Sequence, residues 1–199
     1  MNATPNSDDD DLDFTLIFEG AQKAPPPPPP SPPPSLATVS EAQRKAVDDG
    51  TTKLRQAGYC INIVRPATKV APLAPGAKRY ILCIDDDVPL VQILARKLVL
   101  DGYTVRTASD RQTILAELQK LPSPDLILLD VGLQGMSGFD VLQKLRKHPT
   151  LGSVPVIMLT GQTSPEDVLR GMTGGADGYV SKPFQFDALA IAIKTVLGM

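Results

Sequence analysis

The chain has 199 residues, with 20 Lys plus Arg against 22 Asp plus Glu and a formal net charge of −2, so bulk charge argues for neither a nucleic acid nor a membrane surface as partner. The length suits one well-cored domain with an appendage and is short for two full domains. No uninterrupted apolar run approaches the roughly 18 residues of a membrane span, and the opening "MNATPNSDDDD" lacks the basic and apolar regions of a secretory signal, so a cytoplasmic protein without membrane association is expected.

In chain order, residues 1–24 carry six acids, Asp8 to Asp11, Asp13 and Glu19, against Lys23. An acidic run beside one short apolar cluster is expected to be disordered, or to order only on a partner. Residues 25–35, "PPPPPPSPPPS", cannot donate helix or sheet hydrogen bonds and favour an extended polyproline spacer of roughly 30 Å, at about 3.1 Å per residue. Such a tract is also a ligand type for proline-binding grooves. Residues 36–79 reverse the charge, with eight bases against three acids. Within them "SEAQRKAVDDGTTKLRQAG" has weak helical spacing (Ala42, Ala46, Val47, Leu54), "YCINIV" reads as a strand and "RPATKVAPLAPGAKR" as linker. This stretch is too short to bury a core of its own.

From Tyr80 to Met199 apolar runs of four to six residues alternate with amphipathic helical patterns. "YILCI" precedes Leu90, Leu94 and Leu98; "YTVRT" precedes Ile114, Leu118 and Leu121; "DLILLD" precedes Phe139, Leu142 and Leu145. "VPVIMLT" then precedes "PEDVLRGM", and "GYVS" precedes Leu189, Ile193 and Val196. Five beta-alpha units with uniformly apolar central strands predict an α/β fold: a doubly wound, five-stranded parallel sheet covered on both faces. Gly102 after the first helix, Ser109 before the second and Pro165 at the fourth supply the punctuation.

Ligands of such sheets bind at the carboxyl ends of the strands. Asp85 and Asp86 end the first strand, Asp130 the third and Thr160 the fourth, and Lys182 follows the fifth. Three crowded acids disfavour one another's ionised forms unless a cation compensates them. A hard divalent ion, Mg2+ in particular, suits those oxygens while retaining waters and accepting phosphate oxygens. With Thr160 as hydroxyl donor and Lys182 as a mobile ammonium, the set suits an aspartyl nucleophile receiving a phosphoryl group in line.

Residues 80–199 resemble the receiver domain of two-component response regulators. The resemblance rests on "CIDDD", "LILLDVGLQGMSGFD", "VIMLTG" and "GGADGYVSKPF", with spacings of 44 from Asp86 to Asp130, 30 from Asp130 to Thr160 and 22 from Thr160 to Lys182. It implies a flavodoxin-like strand order 2-1-3-4-5 and phosphorylation on Asp130. It also implies Mg2+ held by Asp86, Asp130 and the Gly132 carbonyl, with Asp85 acting mainly through water. By the same resemblance Thr160 and Lys182 would contact the phosphoryl oxygens, Tyr179 would be the aromatic that turns inward when Thr160 moves, and the Lys182-Pro183 bond would be cis. The implied partners are a sensor histidine kinase or histidine phosphotransfer protein and a downstream effector on the fourth-helix, fifth-strand, fifth-helix face. Whether the active form is a homodimer is left open. One departure is Gln134, where the family commonly has proline four residues beyond the acceptor; a looser loop is expected to alter magnesium affinity.

Blander roles fit other residues. Asp87 suits a cap for the first helix, "TGGADG" a tight turn, His148 a surface position at a helix end, and Cys83 simple packing within a strand. Cys60 and Cys83 have no metal-ligand spacing, and a disulfide is not expected. Two competing functions are weighed. A phosphate-transferring enzyme of the haloacid dehalogenase type needs a second acid two residues after the nucleophile, where this chain has Gly132, so a non-enzymatic phosphoacceptor is expected. A DNA-binding regulator using residues 36–79 has the bases but shows no helix-turn-helix pair. The charge map adds a weaker expectation, that acidic residues 8–19 fold back on the basic stretch or near the last helix and block a partner.

Overall fold

A computed structural model describes residues 61–63, 73–74, 76–161 and 174–199. The expectations for the acidic segment, the proline tract, the helical pattern after it and the crossover helix near Pro165 lie outside the described residues. The described elements are β1 (Ile61–Ile63), β2 (Tyr80–Ile84), α1 (Val88–Leu100), β3 (Thr104–Ala108), α2 (Arg111–Gln119), β4 (Leu126–Asp130), α3 (Gly138–Lys147), β5 (Val156–Thr160), β6 (Gly178–Ser181) and α4 (Phe186–Leu197).

The sheet runs β1-β6-β5-β4-β2-β3. Strands β2 to β6 pair in parallel, and counted among themselves they follow the order 2-1-3-4-5. β1 adds a sixth strand, antiparallel to β6. The "YCINIV" stretch is therefore a strand over Ile61–Ile63, and it extends the main sheet.

Every residue of β2, β4 and β5 is buried, because successive side chains serve opposite faces and both faces are covered. Leu82, Ile84, Ile127, Leu129 and Met158 meet Ile114 and Leu118 of α2 and Phe139 and Leu142 of α3. Ile81, Cys83, Leu128, Ile157 and Leu159 meet Leu94 and Leu98 of α1 and Leu189, Ile193 and Val196 of α4. Burying each such aliphatic side chain contributes roughly 1.5–3 kcal/mol, which makes this two-sided core the main support of the sheet's rim. Cys83 lies in it as a free thiol, and burial pushes its pKa up to about 12.

Helix starts follow local polar chemistry. Asp87 caps α1, its carboxylate accepting from the Leu90 amide at 3.0 Å. The cap of α2 is Asp110, one residue past Ser109, since Asp110 accepts from the Thr113 amide at 2.9 Å while the Thr113 hydroxyl accepts from the Asp110 amide at 3.1 Å. This reciprocal pair has the three-residue spacing of a capping box, whereas Ser109 is four residues from Thr113. Gly102 follows α1 at φ +94°, a left-handed conformation that glycine adopts without steric cost.

Two carboxylates far from the rim pin the domain's other end. Asp125 accepts from Arg79 and from the Tyr80 amide, each at 2.8 Å. Asp177 accepts from Arg146 at 2.8 Å and from the Val156 amide at 2.9 Å. Arg146 also donates to the carbonyls of Gly175 and Val154, each at 2.8 Å, so one guanidinium ties α3 to the starts of β5 and β6. His148, half-buried at the end of α3, uses Nδ1 to accept from the amides of Thr150 and Leu151, each at 3.2 Å.

Candidate phosphoacceptor and metal site

All parallel strands end at one rim, and the register decides what meets there. Asp130 ends β4 beside Leu159, Thr160 ends β5 beside Ser181, and Lys182 is the next residue after β6. Asp85 and Asp86 follow β2 directly. Four polar or charged residues are buried among those described, Asp85, Asp130, Thr160 and Asp177, and three of them are on this rim. A fold that tolerates that concentration of buried polarity in one place must compensate it there.

The compensation is Lys182. Its Nζ donates to Asp85 Oδ2 at 2.6 Å and to Asp130 Oδ1 at 2.7 Å. The sequence suggested a mobile ammonium; here it bridges the two buried acids. The remaining oxygens are also satisfied, with Asp130 Oδ2 accepting from the Gly132 amide at 2.6 Å and Asp85 Oδ1 from the Asp87 amide at 3.0 Å. Burial pushes the Asp85 pKa above its ordinary value despite the opposing Lys182 bond, and the nearby Asp130 charge adds to the rise. Burial acts to lower Lys182, but its hydrogen bonds to Asp130 and Asp85 outweigh it and hold the ammonium above the usual lysine range.

A metal fits by donor chemistry. One carboxylate oxygen from each of Asp85, Asp86 and Asp130 lies within 4.8 Å of the others. A single ammonium leaves this three-acid set with excess negative charge, and hard oxygens suit a hard divalent cation. Asp86 is only half-buried, which leaves one side of the set open to water and to further oxygen ligands.

The loop from Val131 to Ser137 borders Asp130. The Gly132 amide faces Asp130, Gln134 is exposed, and Gly135 takes a left-handed φ of +73°. Gly138 was not singled out from the sequence, yet its amide donates to the Val131 carbonyl at 3.0 Å. A Cβ there would lie 2.0 Å from the Asp130 carbonyl oxygen and 2.9 Å from the Val131 Cα. Only glycine lets α3 start this close to the end of β4. The signal was the "SGFD" string, a cap residue followed by glycine at a helix start. Tyr179 is buried in the cluster shared with α2 and α3, three residues before Lys182, and the Lys182-Pro183 peptide is cis.

Residues 81–194, more than half of the chain, match the family model of the response regulator receiver domain. The chemotaxis protein CheY4 of Vibrio cholerae superposes with a TM-score of 0.57 at 35% identity, covering 61% of this chain and all of that one. The phosphate regulon transcriptional regulatory protein PhoB of Escherichia coli is 36% identical over 119 residues, 60% of this chain and 52% of that protein. The DNA-binding response regulator MtrA of Mycolicibacterium paratuberculosis is 37% identical over 120 residues, with the same two shares. The match thus spans about half the length of these curated relatives. Among the described residues no helix is long and apolar enough to cross a membrane.

Proposed function

Because this chain belongs to the response regulator receiver family, we propose that it acts as a phosphoacceptor in two-component signalling, with Asp130 as the residue modified. The supporting observation is the Lys182 bridge: one cation held between the acid at the end of β2 and the acid at the end of β4, at 2.6 and 2.7 Å.

In the transfer, a carboxylate oxygen of Asp130 bonds to phosphorus as the bond from phosphorus to the donor imidazole nitrogen breaks. The imidazole keeps the electron pair and takes a proton. Lys182 is placed to pair with the new phosphoryl oxygens, and Thr160, at the end of the neighbouring strand, supplies a hydroxyl. The Gly132 amide, already on Asp130 Oδ2, orients the nucleophile. Asp85, Asp86 and Asp130, with the Gly132 carbonyl, are the residues that would hold Mg2+, which when bound neutralises charge on the transferring group.

Donor and recipient follow as expectations. A sensor histidine kinase or histidine phosphotransfer protein supplies the phosphoryl group, and an effector reads the face that includes β6 and α4. The phosphorylated state is selected because the added dianion draws Thr160 and Lys182 toward Asp130, favouring one arrangement of that face. The protein is a slow self-dephosphorylating acceptor with no turnover substrate, since Gly132 stands where a dehalogenase-type phosphatase would have its second acid. The test is labelling with acetyl phosphate and Mg2+: the parent gains label, and Asp130→Ala gains none. A fully labelled variant would reject the assignment.

A second reading takes its support from the names of PhoB and MtrA, which describe transcriptional regulation and DNA binding. Residues 36–79, with eight bases against three acids, would then contact DNA phosphates. Binding that weakens steeply from low to moderate salt is the expected mark, and absent binding at low salt removes it.

A further inference from the structure

In a sheet of the order 2-1-3-4-5, β6 is an outer strand, and an unpaired edge presents backbone donors and acceptors to any extended chain. Here residues 61–63 lie on that edge, antiparallel, in the register Ile61↔Val180, Asn62↔Tyr179 and Ile63↔Gly178. β1 has three residues where most strands of the sheet have five. Ile63 is half-buried against the apolar cluster that α4 shares with the sheet.

The register says what the surface accepts. Ile63 sits opposite Gly178, which offers no side chain of its own, and a Cβ added at Gly178 would point at Ile157 and Val196 of that same cluster. Ile157, 3.2 Å from that Cβ, and Val196 already occupy the place beside Gly178, so the bulky residue of this cross-strand pair is on the added strand, where Ile63 packs against the same cluster. None of the paired residues on either strand is charged, so backbone hydrogen bonds and one apolar anchor carry the recognition.

We propose that the β6 edge and the adjoining shoulder of α4 form a docking surface for an extended partner peptide with branched apolar residues at alternate positions, and that residues 61–63 are its tethered occupant. A tethered strand competes as though present at an effective concentration on the order of 1 mM. A partner must match the Ile63 anchor and extend the ladder beyond three residues to displace it. The surface adjoins the β6 and α4 face assigned to the effector, and its partner role rests on that reading; no group of the Asp130 site takes part in the contact itself, so hydrogen exchange and peptide binding read it without phosphorylation.

Consecutive N–H groups of a strand point to opposite sides, so of Ile61 and Asn62 one faces β6 and the other faces away. In the full-length chain, Ile61→Pro and Asn62→Pro therefore bracket the contact while keeping Ile63, because proline deletes one N–H. Hydrogen exchange reads the β6 amides that face away from β5, with the amides of β2 and β4 as the control for an intact core. The binding probe is a fluorescein-labelled synthetic peptide of residues 59–65 carrying Cys60→Ser. One proline variant is expected to exchange those β6 amides at least tenfold faster than the parent and to bind the peptide at least tenfold more tightly, while the other matches the parent. Faster exchange without peptide binding would overturn the docking surface. Exchange and peptide binding equal to the parent in both variants would overturn the assignment of residues 61–63 as the occupant.

Discussion

Lys182→Met removes the cation between two buried acids and keeps most of the aliphatic stem. The substitution breaks the 2.6 Å bond to Asp85 and the 2.7 Å bond to Asp130, whose side chains are 2% and 7% exposed. Breaking a buried pair by deleting one partner costs about 3–5 kcal/mol; Lys182 is 20% exposed, so water screens part of this and the lower end applies. Protonation also limits the cost. Placing a proton at pH 7 on a carboxyl of ordinary pKa 3.8 costs about 4.4 kcal/mol at 1.36 kcal/mol per pH unit, and the same step at pH 5 costs about 1.6 kcal/mol. The sign follows from linkage: a carboxyl whose folded pKa is raised is best tolerated below its unfolded value and is increasingly penalised as pH rises toward its folded value. Lys182 in the parent, raised above the lysine range, is fully charged across this window and adds no slope of its own. The variant should therefore be less stable than the parent by about 2–4 kcal/mol at pH 7 and by no more than about 1.6 kcal/mol at pH 5 in urea unfolding with chelator present. Millimolar Mg2+ should recover most of the pH 7 deficit, because a divalent ion replaces the missing charge. A deficit that is equal at both pH values, or untouched by Mg2+, would refute the electrostatic account of the rim.

Two further outcomes follow from specific contacts. Gly138→Ala puts a Cβ 2.0 Å from the Asp130 carbonyl oxygen, and because the obstacle is backbone the expected loss is about 1–3 kcal/mol or more, with slower acetyl phosphate labelling; Gly132→Ala, whose Cβ meets Asp130 Oδ2 at 3.4 Å, should stay within about 0.5 kcal/mol of the parent in the same melts. Burial lowers the His148 pKa from 6.5, so the unfolded chain takes up that proton first and the stability held above pH 6.5 is lost as pH falls below it. The drop in Tm between pH 7.5 and pH 5.5 should be smaller in His148→Asn than in the parent, and an equal drop would show that His148 titrates alike in both states.

Where sequence and structure agree, one mechanism dominates. "YILCI" throughout, and "LILLD" and "VIMLT" up to the Asp130 and Thr160 that end them, are apolar without alternation because both faces of a central parallel strand are covered. The rim was legible for the same reason: charges directly after such strands have only one end of the sheet to occupy. Shifts and omissions fall where tertiary contact decides. The cap of α2 moved from Ser109 to Asp110 because the reciprocal bond needs Thr113 three residues on. Gly138 looks like any helix-start glycine until the Asp130 carbonyl is placed beside it. Arg146 and Asp177 are 31 residues apart, and no periodicity links them. β1 was readable as a strand, but its pairing partner lies more than a hundred residues later, and a three-residue run carries no record of which edge it covers.

Acyl phosphate formation at Asp130 is read at the residue level by chemical trapping. Treatment with acetyl phosphate, reduction with borohydride and peptide mass analysis convert a phosphorylated aspartate to homoserine. Homoserine is expected at position 130 alone, formed with Mg2+ and absent with chelator. Homoserine at position 85 or 86, or none at any position under saturating Mg2+, would contradict it.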